Sequence, residues 1–148
     1  MTFFLRLLGM TVITKKIKLN TKGSTDIINI TDQTREIVSK TATKNGIVLI
    51  FVPGSTGGLT TVEYEPGLVQ DLKKFFEKIA PESSTYQHDL RWHDGNGHAH
   101  VRASFLGPSI SVPFVNKTLQ LGTWQQIIFI DFDNRPRSRE LIFQIVGD

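Results

Sequence analysis

The 148-residue chain contains no cysteine. That absence excludes a disulfide framework and every thiolate metal site, so any bound metal must rest on nitrogen and oxygen ligands. Also missing is an apolar run of the roughly 20 residues needed to span a bilayer. The short apolar stretch within Met1–Met10 has neither a basic segment before it nor a small-residue cleavage site after it, so it does not read as a secretory signal. Charge of one sign is scarce: 17 Lys and Arg against 14 Asp and Glu leave a net charge of +3. The basic residues are scattered, and Lys15, Lys16 and Lys18 fall on the solvated side of a strand, so no nucleic-acid partner is expected. No membrane partner is expected either, and the absence of cysteine favours a cytoplasmic address. Internal repeats and low-complexity segments are absent too.

What the chain does have is the composition of one domain, with 39% hydrophobic residues. Regular patterning begins near Thr11, which divides the chain into a domain over 11–148 and an N-terminal extension over 1–10, with Met10 a candidate start. Alternation from Val12 to Leu19 predicts a half-buried strand. Thr31, with Asp32 behind it, predicts the start of a helix that Asn45-Gly46 stops. The run Ile47–Val52 predicts a central strand buried on both faces. Leu59–Glu63 predicts a short strand, and Pro66 opens a second helix ending at Ile79, with Leu68, Leu72, Phe75, Phe76 and Ile79 as its apolar stripe. Thereafter the pattern reads as β: Ala99–Leu106 and Ser109–Pro113 flanking Gly107-Pro108, then Gly122–Phe132 and Leu141–Val146 pairing across a charged turn, Asp133–Glu140. The predicted fold is α+β, a largely antiparallel, sandwich-like sheet with two helices in a single domain.

All four histidines fall between His88 and His100. On a strand, His98 and His100 would project from one side and could reach one ion; His88 could fold over as a third ligand, with Glu63 or Asp89 as a carboxylate. The bland alternative is a pair of strand histidines bonded to their neighbours. Arg102 continues that face and could grip a carboxylate or phosphate, although a surface salt bridge is the ordinary fate of a strand arginine. Glu63 reads equally as a general base or a solvated charge. Pro53–Gly58 offers Gly54, Ser55 and Thr56 as an anion-cradling loop, or an ordinary turn. It lacks the Gly-Lys-Ser/Thr ending of a P-loop.

Val52–Thr56 with Glu63, Tyr86–Asp89, Asn96–His100, Leu106–Ser109 and Leu121–Gln125, in this order and spacing, resemble the YjbQ-type family of small proteins. The resemblance covers the chain from about Thr11 to its end. It implies a compact α+β fold, a homotrimer and a histidine-lined site able to hold a metal ion, and members are often labelled secondary thiamine-phosphate synthases. By position it assigns His88 and His100 to the family's histidines, Glu63 to its glutamate and Asn96 to the head of its Asn-x-x-Ala-His motif. One departure concerns the metal: many members carry His-Thr-Thr where this chain has Gly54-Ser55-Thr56. His98 would supply the absent nitrogen if it faces the same cavity.

These readings lead to an enzyme of thiamine-phosphate-synthase type acting on a small phosphorylated substrate. The metal would rest on His88, His98 and His100, and Glu63, Asn96 and Arg102 would serve catalysis. The metal would be divalent: zinc suits the imidazoles, and magnesium suits diphosphate departure. Two alternatives stand beside it: metal-assisted hydrolysis with Glu63 as base, and a non-catalytic metal- or ligand-binding trimer.

Overall fold

A computed structural model describes residues 9–148, so most of the expected extension over 1–10 lies outside the described residues. The chain runs β1 (Thr11–Thr21), β2 (Asp26–Asn29), α1 (Thr31–Ser39), β3 (Gly46–Phe51), β4 (Gly57–Val62), α2 (Pro66–Ile79), α3 (Gln87–Trp92), α4 (Gly97–Leu106), β5 (Ser109–Val115), β6 (Thr118–Leu119), β7 (Gln126–Asp131) and β8 (Arg137–Gly147). The α+β class holds, with two antiparallel sheets ordered β1-β8-β3-β5-β6 and β2-β7-β4.

The three-stranded sheet is the middle layer. Its inner strand β7 carries Ile127 and Phe129 on one face, into a core shared with Val48, Ile50, Phe143 and Ile145 of the larger sheet. Ile128 and Ile130 point the other way, against Phe76 of α2 and Ala99 and Ala103 of α4. The strand covered on both faces is therefore β7, whereas β3, expected in that role, leaves Ile47 and Leu49 50% and 36% exposed. Among the described residues, another layer covers one side of the larger sheet. Phe129 is wholly buried; its truncation to Ala should cost about 3–5 kcal/mol, because the interior cannot close over so large a void.

Among the described residues four helices form rather than two. α2 has the predicted bounds; Pro66 sits at its first turn, and the Glu65 side chain accepts the N–H groups of Gly67 and Leu68 that the helix leaves free. The decisive departure is α4, expected as a strand. Ala99, Arg102, Ala103 and Leu106 recur at helical spacing and turn inward. A Cβ on Gly58 of β4 would lie 2.7 Å from the Leu106 side chain, and one on Gly57 would lie 2.8 Å from the Phe129 ring. Those glycines, at the end of the Pro53–Gly58 loop, let helix, strand and ring approach closely.

β7 and β8 do not pair as a hairpin; they belong to different sheets. Between and beside them, Arg139 joins Asp131 at 2.7 Å and Asp133 at 3.3 Å, while Arg137 meets Asp133 at 2.9 Å. Burying these carboxylates is tolerable only because each meets a guanidinium or hydroxyl. The cluster marks where the chain crosses from the middle layer to the outer one.

Candidate functional site

Helix geometry separates the histidines that a strand would have aligned. Two residues along a helix turn the side chain by about 200°, so His98 and His100 leave α4 on opposite sides. His98 is buried at 2% exposure, beside Tyr86 at 6.5 Å between ring centroids and 3.7 Å from Glu82. Neither of its ring nitrogens has a hydrogen-bond partner among the described residues. Burial pushes its pKa down, so the ring stays neutral at ordinary pH. One turn on, Arg102 is 1% exposed; it donates to the Ala80 carbonyl at 3.0 and 2.7 Å, to Thr25 at 2.9 Å and to Glu77 at 2.6 Å. Those bonds lock α4 to the end of α2 and turn the guanidinium away from the cavity beside His100.

On the opposite side, His100 meets His88 of α3, their ring centroids 4.3 Å apart. His88 Nε2 lies 3.4 Å from Asp94 Oδ2. One ligand atom from each of His88, Asp94 and His100 lies within 4.8 Å of the other two. Two imidazoles and a carboxylate at such spacing suit a divalent ion with coordination positions left open. Burial, and then the neighbouring His88, lower the pKa of His100, which keeps the ring in its ligating form. Burial opposes ionisation of Asp94, but the Asn96 N–H and His88 outweigh it and hold that carboxyl below its usual range. Asp89, the carboxylate considered from sequence, instead accepts the Gly97 N–H at 2.8 Å and fastens the start of α4. Asp94 was missed; the sequence signal for it was its place in the turn two residues before Asn96.

A cavity of about 440 Å³ adjoins His100, lined also by Gly54, Ser55, Gly57, Ser104 and Pro108. The loop and the histidine segment therefore meet, through His100 rather than through His98. Within the loop, Gly54 and Ser55 face the cavity, whereas buried Thr56 turns its hydroxyl to Asp133 at 3.0 Å and accepts from Arg139 at 2.7 Å. Asn96, also buried, uses its side-chain oxygen to accept the Asn134 N–H at 3.1 Å. That bond ties the histidine segment to the charged turn after β7. Glu63 is exposed at the far end of β4, six residues from Gly57, or about 20 Å along a strand, so one chain does not bring it to this cavity.

Residues 15–148 match the sequence profile of the family described as UPF0047 protein YjbQ-like. A UPF0047 protein of Archaeoglobus fulgidus is 40% identical over 127 residues, covering 86% of this chain and 96% of its own. The UPF0047 protein YugU of Bacillus subtilis is 33% identical, with 90% and 98% covered. The crystal structure of a YbjQ-like protein of unknown function from Sulfolobus solfataricus P2 superposes with a TM-score of 0.89 at 35% identity, over 95% of this chain and 100% of that one.

Proposed function

Starting from the fact that this chain belongs to the YjbQ-like UPF0047 family, we propose that it is an enzyme whose domain, residues 11–148, holds a divalent cation on His88, Asp94 and His100 and processes a small phosphorylated substrate. The observation that carries the reading is the convergence of two imidazoles and a carboxylate beside a cavity of about 440 Å³. Two nitrogen ligands favour zinc over magnesium.

A cation there supplies Lewis-acid stabilisation of negative charge building on a departing oxygen. His100, held neutral, and Asp94, held ionised, are in their ligating forms without a proton having to leave at neutral pH. Gly54 and Ser55 shape the opposite wall; the Ser55 hydroxyl is available to orient polar substrate groups, and Ser104, whose hydroxyl donates to the Val101 carbonyl at 3.0 Å, can only accept. No carboxylate base comes from Glu63 within one chain, which favours a transfer that needs charge stabilisation, such as thiamine-phosphate-synthase-type displacement of diphosphate, over base-assisted hydrolysis.

A homotrimer is part of the proposal. Its support is a row of outward residues on the larger sheet, Val12, Val146, Ile47 and Pro113, placed side by side by the strand register. In such an assembly Glu63 of one copy could serve another's cavity, and hydrolysis would become the second reading. Among the described residues no helix is long and apolar enough to cross a membrane. A cytoplasmic address, free of nucleic acid, completes the proposal.

Elemental analysis of purified protein, combined with turnover on a pyrimidine diphosphate plus thiazole phosphate and on a panel of phosphomonoesters, tests it. Bound zinc with transfer turnover is the expected result. Zinc without any turnover would leave a binding protein, and a metal-free protein whose added zinc does not bind would remove the reading.

A further inference from the structure

A second cavity, of about 350 Å³, lies next to the His88–Asp94–His100 group and shares Asp94 with it; its other walls are Asn96, Asn134, Arg135 and Arg137. The proposed function leaves this cavity without a role. Arg137 Nε lies 2.9 Å from Asp133 Oδ2, an ion pair whose alignment falls short of a hydrogen bond, and its two terminal nitrogens have no partner among the described residues. Arg135 is exposed and forms no ion pair among the described residues. Asn96 spends its oxygen on the Asn134 N–H, and its Nδ2 donates to no described acceptor. Two guanidinium forks and an amide with unspent donors thus border one polar hollow. That is a donor set for a tetrahedral oxyanion, and guanidinium forks match phosphate oxygens two at a time.

Local charge fixes the kind of anion. Asp94, Asp131 and Asp133 carry three negative charges, and Arg135, Arg137 and Arg139 carry three positive charges, which sum to zero. Adding a divalent cation at His88, Asp94 and His100 leaves +2. A phosphate monoester carries about −1.5 to −2 at neutral pH and would neutralise that excess, whereas a monoanion would not. The geometry points to Arg135, Arg137 and Asn96 as a subsite for the phosphate-monoester dianion of the substrate, set beside the cation rather than on the Gly54–Gly58 loop. This assignment rests on the proposed cation for its charge balance, but its donors are present without it.

The full chain is titrated with methyl phosphate, with and without zinc, and with dimethyl phosphate and acetate as monoanionic controls that mimic a nucleic-acid diester and a carboxylate. Methyl phosphate should bind at least about tenfold more tightly than either control, and zinc should tighten it further. Zinc must in turn bind more tightly with methyl phosphate present, by the same factor. Arg135→Gln removes an exposed group with no ion pair and so should leave folding intact. It should weaken methyl phosphate about tenfold with or without zinc, the loss of one charge-assisted pair, while leaving zinc affinity in the absence of anion unchanged. Arg137→Lys keeps the charge facing Asp133 but not the fork, and should also weaken binding. Unchanged methyl phosphate affinity in Arg135→Gln overturns the subsite even if zinc binds normally. Failure of zinc to bind overturns the cation site, and the effect of Arg135→Gln on zinc-free protein still decides the subsite.

Discussion

The two sides of α4 carry the same kinds of residue and have opposite characters. On one side His98 and Arg102 are shut in, and the guanidinium spends its hydrogens on Ala80, Thr25 and Glu77. On the other side His100 and Ser104 open onto a cavity, with His88 and Asp94 alongside. Imidazole beside a carboxylate occurs on both sides, so residue type does not distinguish a fastening from a candidate site. Access does: among the described residues His98 is 2% exposed and its ring nitrogens, though unpartnered, face no cavity, whereas His100 lines one.

The contrast breaks most heavily at Arg102. Arg102→Ala strands the Ala80 carbonyl and the Thr25 hydroxyl in a dry interior, and should lower unfolding free energy by about 3–5 kcal/mol in denaturant titration. Glu77→Gln at the half-exposed other end should cost less than about 1 kcal/mol. A similar loss for both would mean that the pair, rather than the seating of the guanidinium, holds the helix.

Next in size is the contrast between the histidines. His100→Ala removes a proposed ligand and should weaken zinc binding by roughly a hundredfold or more, since even outer partners of ligands are worth about 10–100-fold. His98→Ala should leave zinc affinity within about twofold. Loss of zinc in His98→Ala and retention in His100→Ala would invert the assignment of the two sides.

A gain should follow from Gly54→His. A Cβ at Gly54 would meet only Arg139 Nη1, at 3.4 Å, so the wall tolerates a side chain. A third imidazole facing His100 should tighten zinc about tenfold, measured by competition with a chromophoric chelator. Unchanged affinity would show that position 54 does not point at the ion.

The smallest effect is on acid stability. His98 has a lowered folded pKa against a usual value of 6.5, so the unfolded chain binds the proton first. Its contribution to stability is therefore complete above about pH 6.5 and is lost as pH falls toward the folded value. His98→Leu should flatten the part of the stability profile just below about pH 6.5, and an unchanged slope would move the titration elsewhere.

Much of the architecture was legible where one pattern had one meaning. β1, with alternating apolar and basic residues, and α2, with Pro66 and a 3.6-residue stripe, lie where the sequence put them. Ala99 to Phe105 misled because apolar and polar residues alternate there without a break, the pattern of a half-buried strand. The helix follows from tertiary fit: Ala99 and Ala103 are small enough to lie on the middle sheet, and Val101 and Phe105 remain exposed as a result. Ile47–Val52 and Ile127–Ile130 are similar apolar runs, and only the layer above each decides whether one face or two is covered. At the site, only the family resemblance set the Gly54 loop beside the histidine segment; no spacing in the sequence did. Asp94, Arg135 and Arg137 were not legible, because their roles depend on which partners leave them free.

β1 is eleven residues long and forms a margin of the larger sheet, bonded among the described residues to β8 alone. Such a margin invites another molecule's strand to add on and start a ribbon of copies. Lys15, Lys16 and Lys18 stand along it, all exposed. A would-be neighbour must bring its own backbone past ammonium groups that hold their water tightly, which makes this margin a poor template for aggregation. The lysines that add a little to the chain's positive charge thus act as a guard rail, keeping copies from zippering together in a crowded solution.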